Sequence, residues 1–385
     1  MRARRSPARA EIVPDPAGTA APRIGIAHGT IVSRDAIGHD VLGMAAVLAE
    51  GGFRVVLIAD HFGADLPEEI ETLSVADAVS QRDVDVLVYH HSILWQNGET
   101  LLRGLGARRL LRYHNVTPPE FFIDYSGHYA ELCTAGRAQT ARLVKLLSRT
   151  DRVCAVSAYN AAELQEAGAR EVLISPPFTP VVARPTPRRS LPKPPYQALF
   201  IGRIAPNKGH FDLLNVMAAY VARFGPGIGL TVVGGSDEQL VGYRYLLDAQ
   251  IDQLGLRGVV TLLGPVDHAT LEALFEESSV FLCMSQHEGF CVPVIEAQAL
   301  GLPVVSVDTT ALGETIGAGQ LVVPAPHSRE DYLYIARLIH AACTDPMLRQ
   351  SVIQAGYRNL LTRFNAAEVA DRFMAALVPL LEPRP

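Results

Sequence analysis

The sequence predicts an α/β protein made of two doubly wound, Rossmann-like domains facing a central cleft. Three observations predict it. Short runs that are apolar throughout alternate with stretches whose apolar residues recur at helical spacing. Strands of that kind need cover on both faces, which a parallel sheet between helix layers supplies. The alternation breaks at the densest proline cluster of the chain, Ser175 to Pro195 (SPPFTPVVARPTPRRSLPKPP), and then restarts. Finally, 385 residues, 49% of them hydrophobic, suit two or three well-buried domains.

The elements follow in order. Residues 1–22 are rich in Arg, Ala and Pro without a period and read as a disordered tail. Arg23 to His28 is a buried strand, and Asp40 to Leu48 is a helix stopped by Gly51-Gly52. Phe53 to Ala59, Val84 to Tyr89, Arg109 to Tyr113 and Val153 to Val156 continue the strands. Ser157 reads as the N-cap of the helix that follows. These make a first domain over 23–180, with a linker at 181–195. The second domain, 196–364, carries strands at Ala198–Gly202, Leu230–Gly234, Val259–Leu263, Val280–Met284, Pro303–Val307 and Gln320–Val323. The last stretch, 365–385, is expected to be a helix returning to the first domain.

Composition excludes several classes. A formal net charge of −6 argues against a dedicated nucleic-acid binder. Five scattered cysteines without a CxxC pair argue against a disulfide framework or zinc ribbon and fit a reducing cytoplasm. The first residues lack the apolar core of a secretory signal, and no run approaches the ~18 apolar residues of a membrane span.

Two clusters carry chemistry. Gly202-Arg203-Ile204-Ala205-Pro206-Asn207-Lys208-Gly209 leaves a strand and enters a helix. Its guanidinium and ammonium can converge on one anion, and the helix start adds a positive end. Glu288-Gly289-Phe290-Cys291-Val292-Pro293-Val294-Ile295-Glu296-Ala297 also follows a strand. Backbone N–H groups at its helix start favour an anion, and its two carboxylates can accept hydrogen bonds from vicinal hydroxyls. Two solvated cations in a turn and a surface acid on a helix are the plain alternatives. His28, His90 and His91 end strands, but they show no H-x3-H or H-E-x-x-H spacing, so no metal site is expected.

Together these clusters resemble the retaining glycosyltransferases of family 4, the glycosyl transferases group 1, which have the GT-B fold. The resemblance rests on G-R-x4-K-G followed by E-G-F-x-x-P-x-x-E-A. It is extended by Gly313-Glu314 and by Gly319-Gln320-Leu321-Val322. It implies that Arg203 and Lys208 hold the donor diphosphate, that Glu288 contacts the transferred sugar and that Glu296 holds the nucleotide ribose. Gly202 belongs to the same donor loop. The backbone from Gly289 through Phe290, Cys291 and Val292 would meet sugar and phosphate, with Val266 near the base. Most members carry Gly-Leu where this chain has Cys291-Val292. In the first half, Gly38 matches a glycine loop near the diphosphate, and His114 matches a cleft histidine near the donor sugar. A hydrogen-bonded structural role is the alternative for His114.

The implied activity is metal-independent, retaining transfer of a hexose from a UDP- or GDP-linked donor, with no cofactor. The acceptor would be a glycan, a lipid-linked molecule or a small molecule. A nucleotide-sugar epimerase and a non-catalytic sugar-nucleotide binder are the rival readings. The implied location is cytoplasmic. Arg137, Arg142, Lys145 and Arg149, interleaved with Leu143, Val144, Leu146 and Leu147, leave peripheral contact with the inner face of the membrane open, against an ordinary packed helix.

Overall fold

A computed structural model describes residues 21–33, 35–179 and 190–382. The expected tail lies outside the described residues up to position 20, and the expected linker lies outside them over 181–189.

Seven strands of the first domain are β1 (Arg23–Ala27), β2 (Arg54–Ile58), β3 (Glu71–Leu73), β4 (Val86–His91), β5 (Arg108–Tyr113), β6 (Arg152–Ala155) and β7 (Val172–Ile174). They form one parallel sheet in the order β3-β2-β1-β4-β5-β6-β7. A second parallel sheet holds β8 (Tyr196–Ile201), β9 (Ile228–Val233), β10 (Val260–Gly264), β11 (Val280–Cys283), β12 (Val304–Val307) and β13 (Leu321–Val323). Its order is β10-β9-β8-β11-β12-β13. Each sheet reverses its winding between its first and fourth strands. Such a switch point opens a crevice at the strand C-termini.

Burial follows the two-residue period of a covered sheet. Ile24, Ile26, Val86, Val88 and Leu110 pack on one face of the first sheet, and Ala27, Leu87, Tyr89 and Leu111 on the other. Helix α1 (Ala36–Glu50) covers the former face with Val41, Met44 and Leu48. Helix α2 (Gly127–Leu146) buries Leu143 and Val144 in the opposite core, while Arg137 and Arg142 bond Glu163 and Glu99 of the same domain. Helix α3 (Ala158–Glu166) starts at Ser157, whose hydroxyl accepts the Asn160 N–H at 3.2 Å.

In the second domain α4 (His210–Phe224) and α5 (Val292–Ala299) flank the sheet and start just beyond its switch-point strands. Helix α6 (Pro346–Asn359) widens into a π-helical turn at Leu360–Phe364, and α7 (Ala366–Leu377) follows. Val369, Phe373, Ala376 and Leu377 of α7 pack with α1 on the first sheet. Among the described residues no helix is long and apolar enough to cross a membrane.

Candidate active site

The two sequence clusters meet at the second switch point. After β8 the chain forms a tight turn, Pro206–Lys208, and reaches Gly209 at φ 66°. A Cβ on Gly209 would lie 1.8 Å from the Met284 carbonyl oxygen, so only glycine lets α4 begin against the end of β11. Asn207 laces the loops together. Its carbonyl accepts the Gln286 and His287 N–H groups at 2.9 and 3.2 Å, and its amide donates to the His287 carbonyl at 3.2 Å. Lys208 runs back beside Gly202 and donates from Nζ to Glu288 Oε1 at 2.7 Å. Eighty positions of sequence separate the partners of this ion pair, and both are largely buried. Thr310 fixes Glu288 from behind, accepting its N–H and donating to its carbonyl, both at 2.9 Å.

Cys291 N-caps α5 in the left-handed region, at φ 77°. The side chains of Phe290 and Val292 turn into an apolar cluster with Val156, Ile295, Ala299, Leu360 and Phe364. What this segment can offer a ligand is therefore backbone. A thiol–thiol hydrogen bond lowers the pKa of Cys283 and raises that of Cys291. Glu296 lies further along α5, where burial pushes its pKa up to about 7. Among the described residues no cation pairs with it. Arg203 is exposed and lies beside Tyr129 and Asp237. Val266 follows β10 and packs, half-buried, on the second core.

The first domain closes against this loop. A Cβ on Gly289 would lie 2.3 Å from the His114 carbonyl oxygen, so glycine is required for the two backbones to approach. Asn115 Oδ1 meets His287 Nε2 at 2.7 Å, and Asn160 donates to the Gly289 carbonyl at 3.2 Å. The Glu314 carboxylate accepts the Ala158 and Tyr159 N–H groups at the start of α3, each at 3.0 Å. Tyr129 donates to Asp237 Oδ2 at 2.8 Å.

The His114 backbone thus lines the seam, while its ring turns inward. Nε2 lies 2.9 Å from His90 Nδ1 and 3.4 Å from Asp40 Oδ2. Asp40 is gripped by Arg112 through Nε at 2.6 Å and Nη2 at 3.0 Å. Burial, reinforced by Arg112, holds both imidazoles well below their ordinary pKa, so they are neutral. His91 bonds Thr140 instead. Gly38 sits in the first turn of α1, its N–H held by Asp35 Oδ1 at 2.6 Å. The structure thus unites Gly202, Lys208, Glu288, Gly289 and the His114 backbone. Gly38 and Val266 lie on opposite domains, and their neighbours His39 and His268 are near enough across the cleft to interact electrostatically. Sequence reading gave no role to Asn115, Asn160 and His287, singled out Glu314 only as part of a motif, and did not join His90 to Asp40 and Arg112. One signal was present: an arginine inside the apolar strand RLLRY requires a buried anion.

Residues 184–359 match the family described as Glycosyl transferases group 1. Glycogen synthase of Mycobacterium tuberculosis (strain CDC 1551 / Oshkosh) is 27% identical over 195 residues, 50% of this chain and 45% of that protein. The aligned stretch thus spans less than half the length of that relative. Sucrose-phosphate synthase from Thermosynechococcus elongatus superposes with a TM-score of 0.72 at 18% identity, over 94% of this chain and 99% of that one. Anabaena Alr3699/HepE, in complex with UDP and glucose, superposes with a TM-score of 0.69 at 16% identity, over 93% and 99%. The chain has the GT-B fold, and over residues 184–359 it is similar to the glycosyl transferases group 1 family.

Proposed function

We propose that the protein is a retaining, metal-independent glycosyltransferase. It moves a hexose from a nucleotide diphosphate sugar to a glycan, lipid-linked or small-molecule acceptor. The observation that carries this reading is the Lys208–Glu288 pair, 2.7 Å long, at the switch point where α4 and α5 begin. It sets a cation and a sugar-binding acid side by side at the strand edge where ligands bind on this kind of sheet. Support for a nucleotide-sugar donor comes from the similar fold of Alr3699/HepE, which was crystallised with UDP and glucose.

The chemical problem is departure of a diphosphate from an oxocarbenium-like carbon. Arg203, Lys208 and the amides opening α5 stabilise the charge that grows on the leaving oxygen. Glu288 positions the sugar hydroxyls, and Glu296 accepts hydrogen bonds from the ribose. The acceptor oxygen bonds to the anomeric carbon on the face the phosphate leaves, and a phosphate oxygen takes the acceptor proton. The seam between the domains excludes water and so suppresses hydrolysis.

Thermal melting with UDP, GDP and ADP identifies the base, because the nucleotide that binds raises the melting temperature. Lys208→Ala and Glu296→Ala should each cut transfer by ~10²–10³-fold with unchanged circular dichroism. Near-normal turnover in both variants rejects the assignment. A labelled donor incubated alone separates transfer from epimerisation, since an epimerase needs no acceptor.

A further inference from the structure

Cys283 closes β11 and Cys291 opens α5, with Glu288 between them, in the pattern C-x4-E-x2-C. The two sulfurs and a Glu288 carboxylate oxygen all lie within 4.8 Å of one another, and all three residues are buried. Convergence of two thiols and one carboxylate on a common point is the donor set of zinc-class cations, and it disfavours magnesium, which prefers oxygen alone. Cys291 joins this cluster from a backbone position at φ 77°. Charge also closes. Two thiolates and the carboxylate carry three negative charges, which the Lys208 ammonium and a divalent cation neutralise, while the two thiol protons leave to water.

The other close group of metal-ligating atoms behaves differently. Asp40, His90 and His114 are also within 4.8 Å of one another, but Asp40, bonded to Arg112 as Glu288 is to Lys208, has only neutral imidazoles beside it and no thiols to add negative charge. A divalent cation there would sit beside a buried guanidinium with a single carboxylate to balance both.

We propose that Cys283, Glu288 and Cys291 form a binding site for a soft divalent cation of the zinc class. Filling it withdraws Glu288 from the sugar, so cation and donor exclude each other. That consequence, unlike the site itself, rests on the function proposed above.

The test uses the full-length, metal-free protein with zinc or cobalt ion alone. Zinc-edge X-ray absorption should show one bound ion with two sulfur ligands at ~2.3 Å. Cobalt should give an intense thiolate-to-metal charge-transfer band. Cys283→Ser and Cys291→Ser should each weaken zinc binding by more than ~100-fold, beyond the loss typical of an outer-shell change. No stoichiometric binding overturns the site. So does a shell of only nitrogen and oxygen at ~2.0 Å, which would place the ion elsewhere. The absorption measurement needs no variant, so a serine chain that fails to fold does not spoil the test. UDP affinity should fall at least tenfold in the zinc-loaded protein. An unchanged affinity overturns the exclusion, whereas no binding of UDP, GDP or ADP with or without zinc strikes the proposed function and leaves the two-sulfur shell standing.

Discussion

Glu296 shows how one carboxylate can report on the donor. Burial raises its pKa to about 7 from an ordinary value of 4.5. The folded protein therefore binds an extra proton between those two pH values, and the stability Glu296 contributes falls as pH rises through that window. A ribose donating hydroxyls to this group favours the ionised form. Donor binding below pH 7 must then expel the proton, and it weakens as pH drops. We expect UDP affinity to fall by up to ~10-fold per unit below pH 7. In Glu296→Gln affinity should be lower and this part of the slope absent. The phosphate of UDP titrates near pH 6 in both cases, so the difference between the two profiles is the readout. Parallel profiles in calorimetry would place the ribose away from Glu296.

At the scale of elements, the seam is made by loops and helix starts, not by the sheets. The Glu314 carboxylate lies on two N–H groups at the head of α3, the end where a negative charge is favoured. Glu314→Ala should cost ~1–2 kcal/mol of capping energy and loosen the domain contact. Small-angle scattering should show a larger radius of gyration, and Glu314→Gln should fall between. An unchanged radius in Glu314→Ala would mean that the other seam bonds suffice. The same scale explains what could be read from sequence. Strands such as VVLIA and the continuous run VFLCM announce themselves, because burial on both faces leaves an unbroken apolar run. The edge strands Glu71–Leu73 and Val172–Ile174 do not, because each is three residues long and only partly covered. The Lys208–Glu288 pair was legible as two motifs at strand ends. Glu314 on α3 was not, because the bond joins residues 156 positions apart in different domains.

Across the whole molecule, the chain crosses from the second domain back to the first at Leu360–Phe364. That crossing touches the donor loop. Phe290, one residue before the α5 cap, meets the ring of Phe364 edge-on at 5.3 Å, in a cluster that also holds Val156 of the first domain. A little further on, Phe373 is fully buried in a separate cluster between α1 and the first sheet. The two phenylalanines form a matched pair. Truncating either to alanine should cost ~3–5 kcal/mol of stability, read as a shift in the denaturant midpoint. They should differ in ligand binding. Phe364→Ala removes the ring that holds Phe290, so the amides around Cys291 lose their fixed direction and UDP affinity should fall several-fold. Phe373→Ala, with equal loss of stability, should leave UDP affinity unchanged while the protein stays folded. Equal effects of both variants on UDP binding would show that the crossing supports the fold without positioning the donor loop.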